Sequence, residues 1–163
     1  MNFEDLLREH GPAIWRAVAS YAPPGPERAD LAQDVMIAVW QALPRHRGVG
    51  SLRSFVLRIA HNRGLSHVWR RSRTPGAAGE EVDVPDPRPQ ADEQAMRNQQ
   101  AERLLRHLRA LPLGQRQVLA LSLEGLSHQE IGAIVGITVQ NVAVRLSRAR
   151  EALRKSISRE EAA

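Results

Sequence analysis

The sequence predicts an all-α protein made of two small helical domains joined by a flexible linker. Three observations carry this prediction. Apolar residues recur at three- and four-residue spacing almost throughout, and no stretch shows the alternation of a half-buried strand. Caps and helix breakers punctuate that pattern at intervals suited to helices of ordinary length. One segment, "SRTPGAAGEEVDVPDPRPQA" (residues 72–91), holds four prolines and no apolar period, so it reads as an extended, mobile tether. The expected units are residues 1–73, a linker over 74–94, and residues 95–163.

In chain order, Asn2 is placed to cap a first helix with Phe3, Leu6 and Leu7 on one face. Gly11-Pro12 should kink or restart it before Ile14, Trp15 and Val18. "YAPPGPE" (Tyr21–Glu27) is a turn, after which Leu31, Val35, Ala38 and Val39 mark a second helix that Pro44 stops. The loop "RHRGVG" (Arg45–Gly50) leads to Ser51, a cap for a long third helix through Leu52, Phe55, Val56 and Ile59 to about Arg71. Helical pattern resumes near Asp92, with Leu104, Leu105, Leu108 and Leu111 as a stripe before Pro112. A shorter helix follows to Glu124, and Gly125 stands where a left-handed C-cap is expected.

The C-terminal third carries the clearest local signal. Ser127-His128-Gln129-Glu130 is a capping box, in which serine and glutamate satisfy each other's amide across the first turn. Ile131, Ile134 and Val135 form an apolar edge, Gly136 permits a tight turn, and Thr138 caps a further helix. On that helix Val142, Leu146, Ala149 and Leu153 share a narrow stripe. Gln140, Val144, Ser147 and Arg148 lie opposite, flanked by Asn141 and Arg145. This is a helix-turn-helix whose second helix offers amides and guanidinium groups to base edges, with Arg150, Arg154 and Lys155 further along for phosphates. Taken alone, the segment is also compatible with a plain helical hairpin that has a solvated charged face.

Charge is distributed in zones. Residues 1–43 hold six acids and three bases, 44–74 hold eight arginines and no acid, 75–105 hold seven acids and three bases, and 106–163 hold nine bases and five acids. Lys155 is the only lysine, so the cationic groups are planar forks suited to phosphates and bases. Away from its buried stripe the second helix shows Asp30, Gln33, Asp34, Ile37, Trp40 and Gln41, an acidic and partly apolar face of the kind that docks a protein; Trp40 as a core residue is the alternative. The third helix bears Arg53, Arg58, His61, Asn62, Arg63, Ser66, Trp69, Arg70 and Arg71, preceded by Arg47 in the loop. Basic residues beside an aromatic suit unstacked single strands, unless Trp69 simply closes the core.

With no cysteine, disulfides, thiolate zinc sites and cysteine nucleophiles are excluded, and the six histidines form no ligand pair at helical spacing. No metal or other cofactor is expected. There is no phosphate-binding glycine loop, no apolar run near the roughly 20 residues a bilayer requires, and no basic-then-apolar start. The expected protein is cytoplasmic, not inserted in membranes, and not an enzyme.

"DLAQDVMIAVWQALPRHR", then "SLRSFVLRIAHNRGLSHVWRR", a Pro-rich linker, and "LPLGQRQVLALSLEGLSHQEIGAIVGITVQNVAVRLSRAREALR" together resemble the bacterial extracytoplasmic-function (ECF) sigma factors. The resemblance covers nearly the whole chain. It implies a two-domain initiation factor whose partners are core RNA polymerase (clamp and flap), promoter DNA and an anti-sigma factor. Asp30, Gln33, Asp34, Ile37, Trp40 and Gln41 would grip the polymerase clamp. Arg47, Arg53, Arg58, His61, Asn62, Arg63, Ser66, Trp69, Arg70 and Arg71 would melt and read the −10 element. Thr138, Gln140, Asn141, Val144, Arg145, Arg148 and Arg150 would read the −35 element.

The sequence departs from the family pattern at Asn141, Ala143 and Val144, where threonine, a basic residue and serine are usual. It departs again at Ser66 and Trp69, where aspartate and arginine are common. Promoter sequences of better-known members are therefore not transferable. A sigma mimic that sequesters an anti-sigma protein and a conventional helix-turn-helix regulator are the alternatives.

Overall fold

The computed structural model describes residues 2–48, 50–73 and 92–163, and these contain seven α-helices and no strand. The tether expected over 72–91 falls, from residue 74 onward, outside the described residues.

Helix α1 spans Phe3–Ala19, with the Asn2 side chain accepting the Asp5 amide at 2.8 Å. It does not restart at Pro12, which sits inside one continuous helix. An internal proline costs about 3 kcal/mol. Burying Leu6, Ile14 and Val18 on one face, at about 1.5–3 kcal/mol each, outweighs that. Trp15 is half-exposed, turned about 100° off that face by its place next to Ile14.

Helix α2 spans Pro26–Ala42, opened by a proline whose missing amide is harmless in the first turn. It runs into a 3-10 turn over Leu43–Arg45. Helix α3 spans Leu52–Ser72, with Ser51 Oγ accepting the Ser54 amide at 3.0 Å. The Tyr21 ring lies across Gly64 so closely that a Cβ there would come within 2.2 Å of it.

The second half contains α4 (Asp92–Arg109), α5 (Leu113–Leu123), α6 (His128–Val135) and α7 (Val139–Ala162). Helix α4 begins at Asp92, so residues 92–94, assigned above to the linker, are its first turn. The stripe on α4 is only partly interior: Leu108 is buried, whereas Leu104 is exposed. The far end of α7 is tied back to α4. Glu160 accepts from Arg103 at 3.0 Å and from Arg106 at 2.8 Å, and it contacts His107, which also meets Ser156. The bonds from His107, foremost, and from Arg103 hold the Glu160 carboxyl down at about 2.

Separate cores for the two halves are not what the described residues show. Leu6, Val18, Val35 and Leu57 of the first half join Leu108, Leu121, Ile131 and Leu146 of the second in one buried cluster. Units of about 70 residues bury too little of their own surface to stand comfortably alone, and each covers part of the other.

Candidate nucleic-acid interface and docking face

The helix-turn-helix forms as its local chemistry dictates. Ser127 Oγ accepts the Glu130 amide at 3.1 Å while Glu130 Oε1 accepts the Ser127 amide at 3.0 Å, and the Ser127 amide, donating to the carboxylate, lowers the Glu130 pKa. Gly136 adopts φ 82°, a left-handed turn that other residues take only at a cost. Gly132 lets α6 approach the turn, since a Cβ there would lie 2.7 Å from the Ile137 carbonyl oxygen. Thr138 Oγ1 then accepts the Asn141 amide at 3.1 Å and starts α7.

Val142, Leu146 and Ala149 face inward, as their spacing requires. Gln140, Val144, Ser147 and Arg148 are exposed on the other side, with Asn141, Val139 and Arg150 exposed along its flanks. Thr138 is exposed at the cap. Arg145 differs: it is half-buried, and its guanidinium lies over Gly114 of α5, 3.0 Å from where a Cβ would stand. An apolar valine amid amides and one outward arginine makes a face able to meet both base edges and thymine methyls.

On α2, Asp30, Gln33, Ile37, Trp40 and Gln41 are all exposed. Trp40 is 60% exposed, which rules out the core alternative. Beside it lies a depression lined by Ala38, Gln41, Pro44, Arg45 and Arg63. Asp34 is half-buried and pairs with Arg63 of α3 at 3.5 Å.

The face of α3 divides. Asn62, Ser66, Trp69 and Arg70 are exposed, with Arg47 exposed in the preceding loop. Trp69 is 54% exposed and so does not close the core.

Sequence comparison adds the context. A family model of sigma-70 region 2 matches residues 6–74, and one of sigma-70 region 4 matches residues 101–153. The chain belongs to the sigma-70 family, in its ECF group.

The RNA polymerase sigma factor CnrH of Cupriavidus metallidurans is 28% identical over 160 residues, covering 93% of this chain and 84% of that protein. The ECF RNA polymerase sigma-E factor of Escherichia coli K12 is 28% identical over 168 residues, with the same coverage of 93% and 84%. CnrH solved in complex with the cytosolic domain of CnrY superposes with TM-score 0.69 at 25% identity, covering 96% of this chain and 87% of that one. The sigma factor RpoE of Bartonella quintana, solved with the anti-sigma factor NepR, superposes with TM-score 0.70 at 22% identity and shares the fold, covering 95% of this chain and 98% of that one.

Within this ECF sigma factor the region 2 helices are α1–α3, and region 4 takes α5–α7 with the second half of α4. Four of the residues assigned from sequence to the −10 face point elsewhere in this arrangement. His61 is 2% exposed, its Nδ1 2.5 Å from the Tyr21 hydroxyl. Burial lowers its pKa to about 4, so the ring is neutral near pH 7. Arg71 is held, with His67, on Glu27 of α2. Arg53 and Arg58 turn toward region 4: Arg53 reaches Glu124 and Arg58 the Ala133 carbonyl.

Spacing alone missed the partners of these arginines, because periodicity shows which side of a helix is polar and not what stands opposite. Arg28 is a further case. It is a buried guanidinium on the Ala22 carbonyl and on Glu102 of α4, a residue 74 positions away. A signal for Glu124 was nonetheless present: a carboxylate at a helix C-terminus opposes the helix dipole and calls for nearby cations.

Proposed function

We propose that this ECF sigma factor docks on core RNA polymerase through the α2 face, engages the −10 element through α3 and its preceding loop, and reads the −35 element through α7. The observation that carries the reading is the exposure of Ile37 and Trp40 among Asp30, Gln33 and Gln41. An indole with a polar, acidic rim is the composition of an interface anchor and is unfavourable as bare surface. The nucleic-acid faces follow from chemistry: exposed Asn62, Trp69 and Arg70 suit stacking and phosphate contact, and exposed Gln140, Asn141 and Arg148 suit base edges.

Bond chemistry in this scheme belongs to the polymerase; the sigma factor supplies position and strand separation. It acts in the cytoplasm, where polymerase and promoter are. Among the described residues no helix is long and apolar enough to cross a membrane. An anti-sigma protein is the further partner of this reading, since the solved relatives named above were captured with such proteins or with the CnrY cytosolic domain.

The test is run-off transcription with purified core polymerase on fragments of the source genome. Discrete start sites that depend on this chain are expected. Binding to an anti-sigma protein with no transcript on any fragment would identify a mimic instead.

A further inference from the structure

We propose that Glu124 is an intramolecular latch that closes region 4 onto the basic face of α3, and that nucleic-acid phosphate opens it by competing for the same arginines. The idea rests on reading α3 as a nucleic-acid face. The Glu124 side chain is only 7% exposed, although it follows the last residue of α5 at the edge of the domain. Its carboxylate accepts from Arg16 of α1 through two nitrogens, at 2.6 and 2.9 Å, and from Arg53 of α3 at 2.9 Å. Arg53 also caps the Glu124 carbonyl. The Arg16 pKa is raised, chiefly by its hydrogen bond to this carboxylate.

Nothing local favours an acid here. A carboxylate at a helix C-terminus meets the negative end of the dipole, and burying it is unfavourable unless it is fully partnered. Both of its partners come from region 2, 108 and 71 positions away. The rest of the contact repeats the design. Arg58 caps the C-terminal carbonyl of Ala133 on α6, and Ser54 donates to Glu130, the capping-box carboxylate of the helix-turn-helix. In the other direction, Arg109 of α4 caps Ala19 at the end of α1.

Closing the two halves therefore occupies Arg53 and Arg58 with a carboxylate and helix-end carbonyls, groups that mimic the charge and acceptor geometry of phosphate oxygens. A polyanion would offer those arginines equivalent partners. In the closed chain both arginines reach the surface with their guanidinium groups already partnered, so a strand must compete for them, and strand binding and opening become the same event.

The absence of cysteine makes the test direct, because Glu4→Cys on α1 and Ser158→Cys on α7, both exposed, accept a donor and acceptor dye in the full chain. In the free labelled protein, high energy transfer is expected. It should fall in Glu124→Gln and in Arg16→Gln, and it should fall in the wild type when single-stranded DNA is added. Glu93→Gln removes the same charge from the exposed first turn of α4 and should change nothing. Glu124→Gln should also bind single-stranded DNA more tightly, with a salt dependence steeper by about 1.4 in log–log slope for two added phosphate contacts at about 0.7 each.

Unchanged transfer in both latch variants, or low transfer already in the wild type, overturns the latch. Reduced transfer with DNA binding and salt slope unchanged overturns the competition. Core-polymerase titration of the same variants reports separately on the docking reading, which does not depend on either outcome.

Discussion

Replacing Trp40 with alanine should uncouple the sigma factor from polymerase without unfolding it. An aromatic side chain buries roughly 150–250 Å² when fully covered. The 60% of Trp40 left exposed therefore presents on the order of 90–150 Å² to a partner. At about 25 cal/mol per Å² that is about 2–4 kcal/mol, or roughly 30- to 1,000-fold in Kd.

The same exposure predicts little harm to the fold, because Val35, Ala38 and Val39 hold α2 to the core without the indole. The assay is fluorescence anisotropy of labelled full-length protein titrated with core polymerase, beside thermal unfolding followed by circular dichroism. Trp15→Ala is the control: it too removes a half-exposed indole, but from α1. Wild-type affinity for Trp40→Ala at an unchanged Tm would refute the assignment of the α2 face.

Arg148→Ala should weaken −35-dependent initiation by about 1–3 kcal/mol, the range for a base-contacting arginine; equal transcript yield from a mapped promoter and a variant with that element scrambled would already show that α7 reads nothing there. Gly64→Ala should destabilise by about 1–3 kcal/mol or more through overpacking, since its Cβ would meet the Tyr21 ring at 2.2 Å. Chemical denaturation measures this, and an unchanged midpoint means that the ring is not seated on α3. For Glu160 the folded pKa of about 2 lies below its ordinary 4.5, so its ion-pairing stabilises the fold above pH 4.5 and that contribution is lost as pH falls toward 2. The Tm difference between wild type and Glu160→Gln should therefore shrink over that window, and a gap that stays constant would contradict the tie to His107 and Arg103.

Everything governed by neighbours a few positions apart was legible in the sequence. Asn2, Ser51, Ser127 and Thr138 cap their helices, Gly136 takes the left-handed turn, and Val142, Leu146 and Ala149 turn inward. Pro12 was the local exception, a breaker overridden by the packing on either side of it.

The face assignments of α2 were legible for the same reason, because a buried stripe through Leu31, Val35 and Val39 obliges Ile37 and Trp40 to point away. That reasoning sets a direction and stops there. Whether an outward arginine meets solvent, DNA or another helix depends on chain segments far off in sequence.

The tertiary structure decided the rest. It buried His61 against Tyr21, folded Arg145 over Gly114, paired Asp34 with Arg63, and brought Arg16 and Arg53 onto Glu124. Short-range order follows from backbone hydrogen bonds and the period of the helix, which each residue shares with its neighbours. Long-range pairing follows from which uncovered surfaces two undersized domains hide against each other, and that is a property of their shapes together.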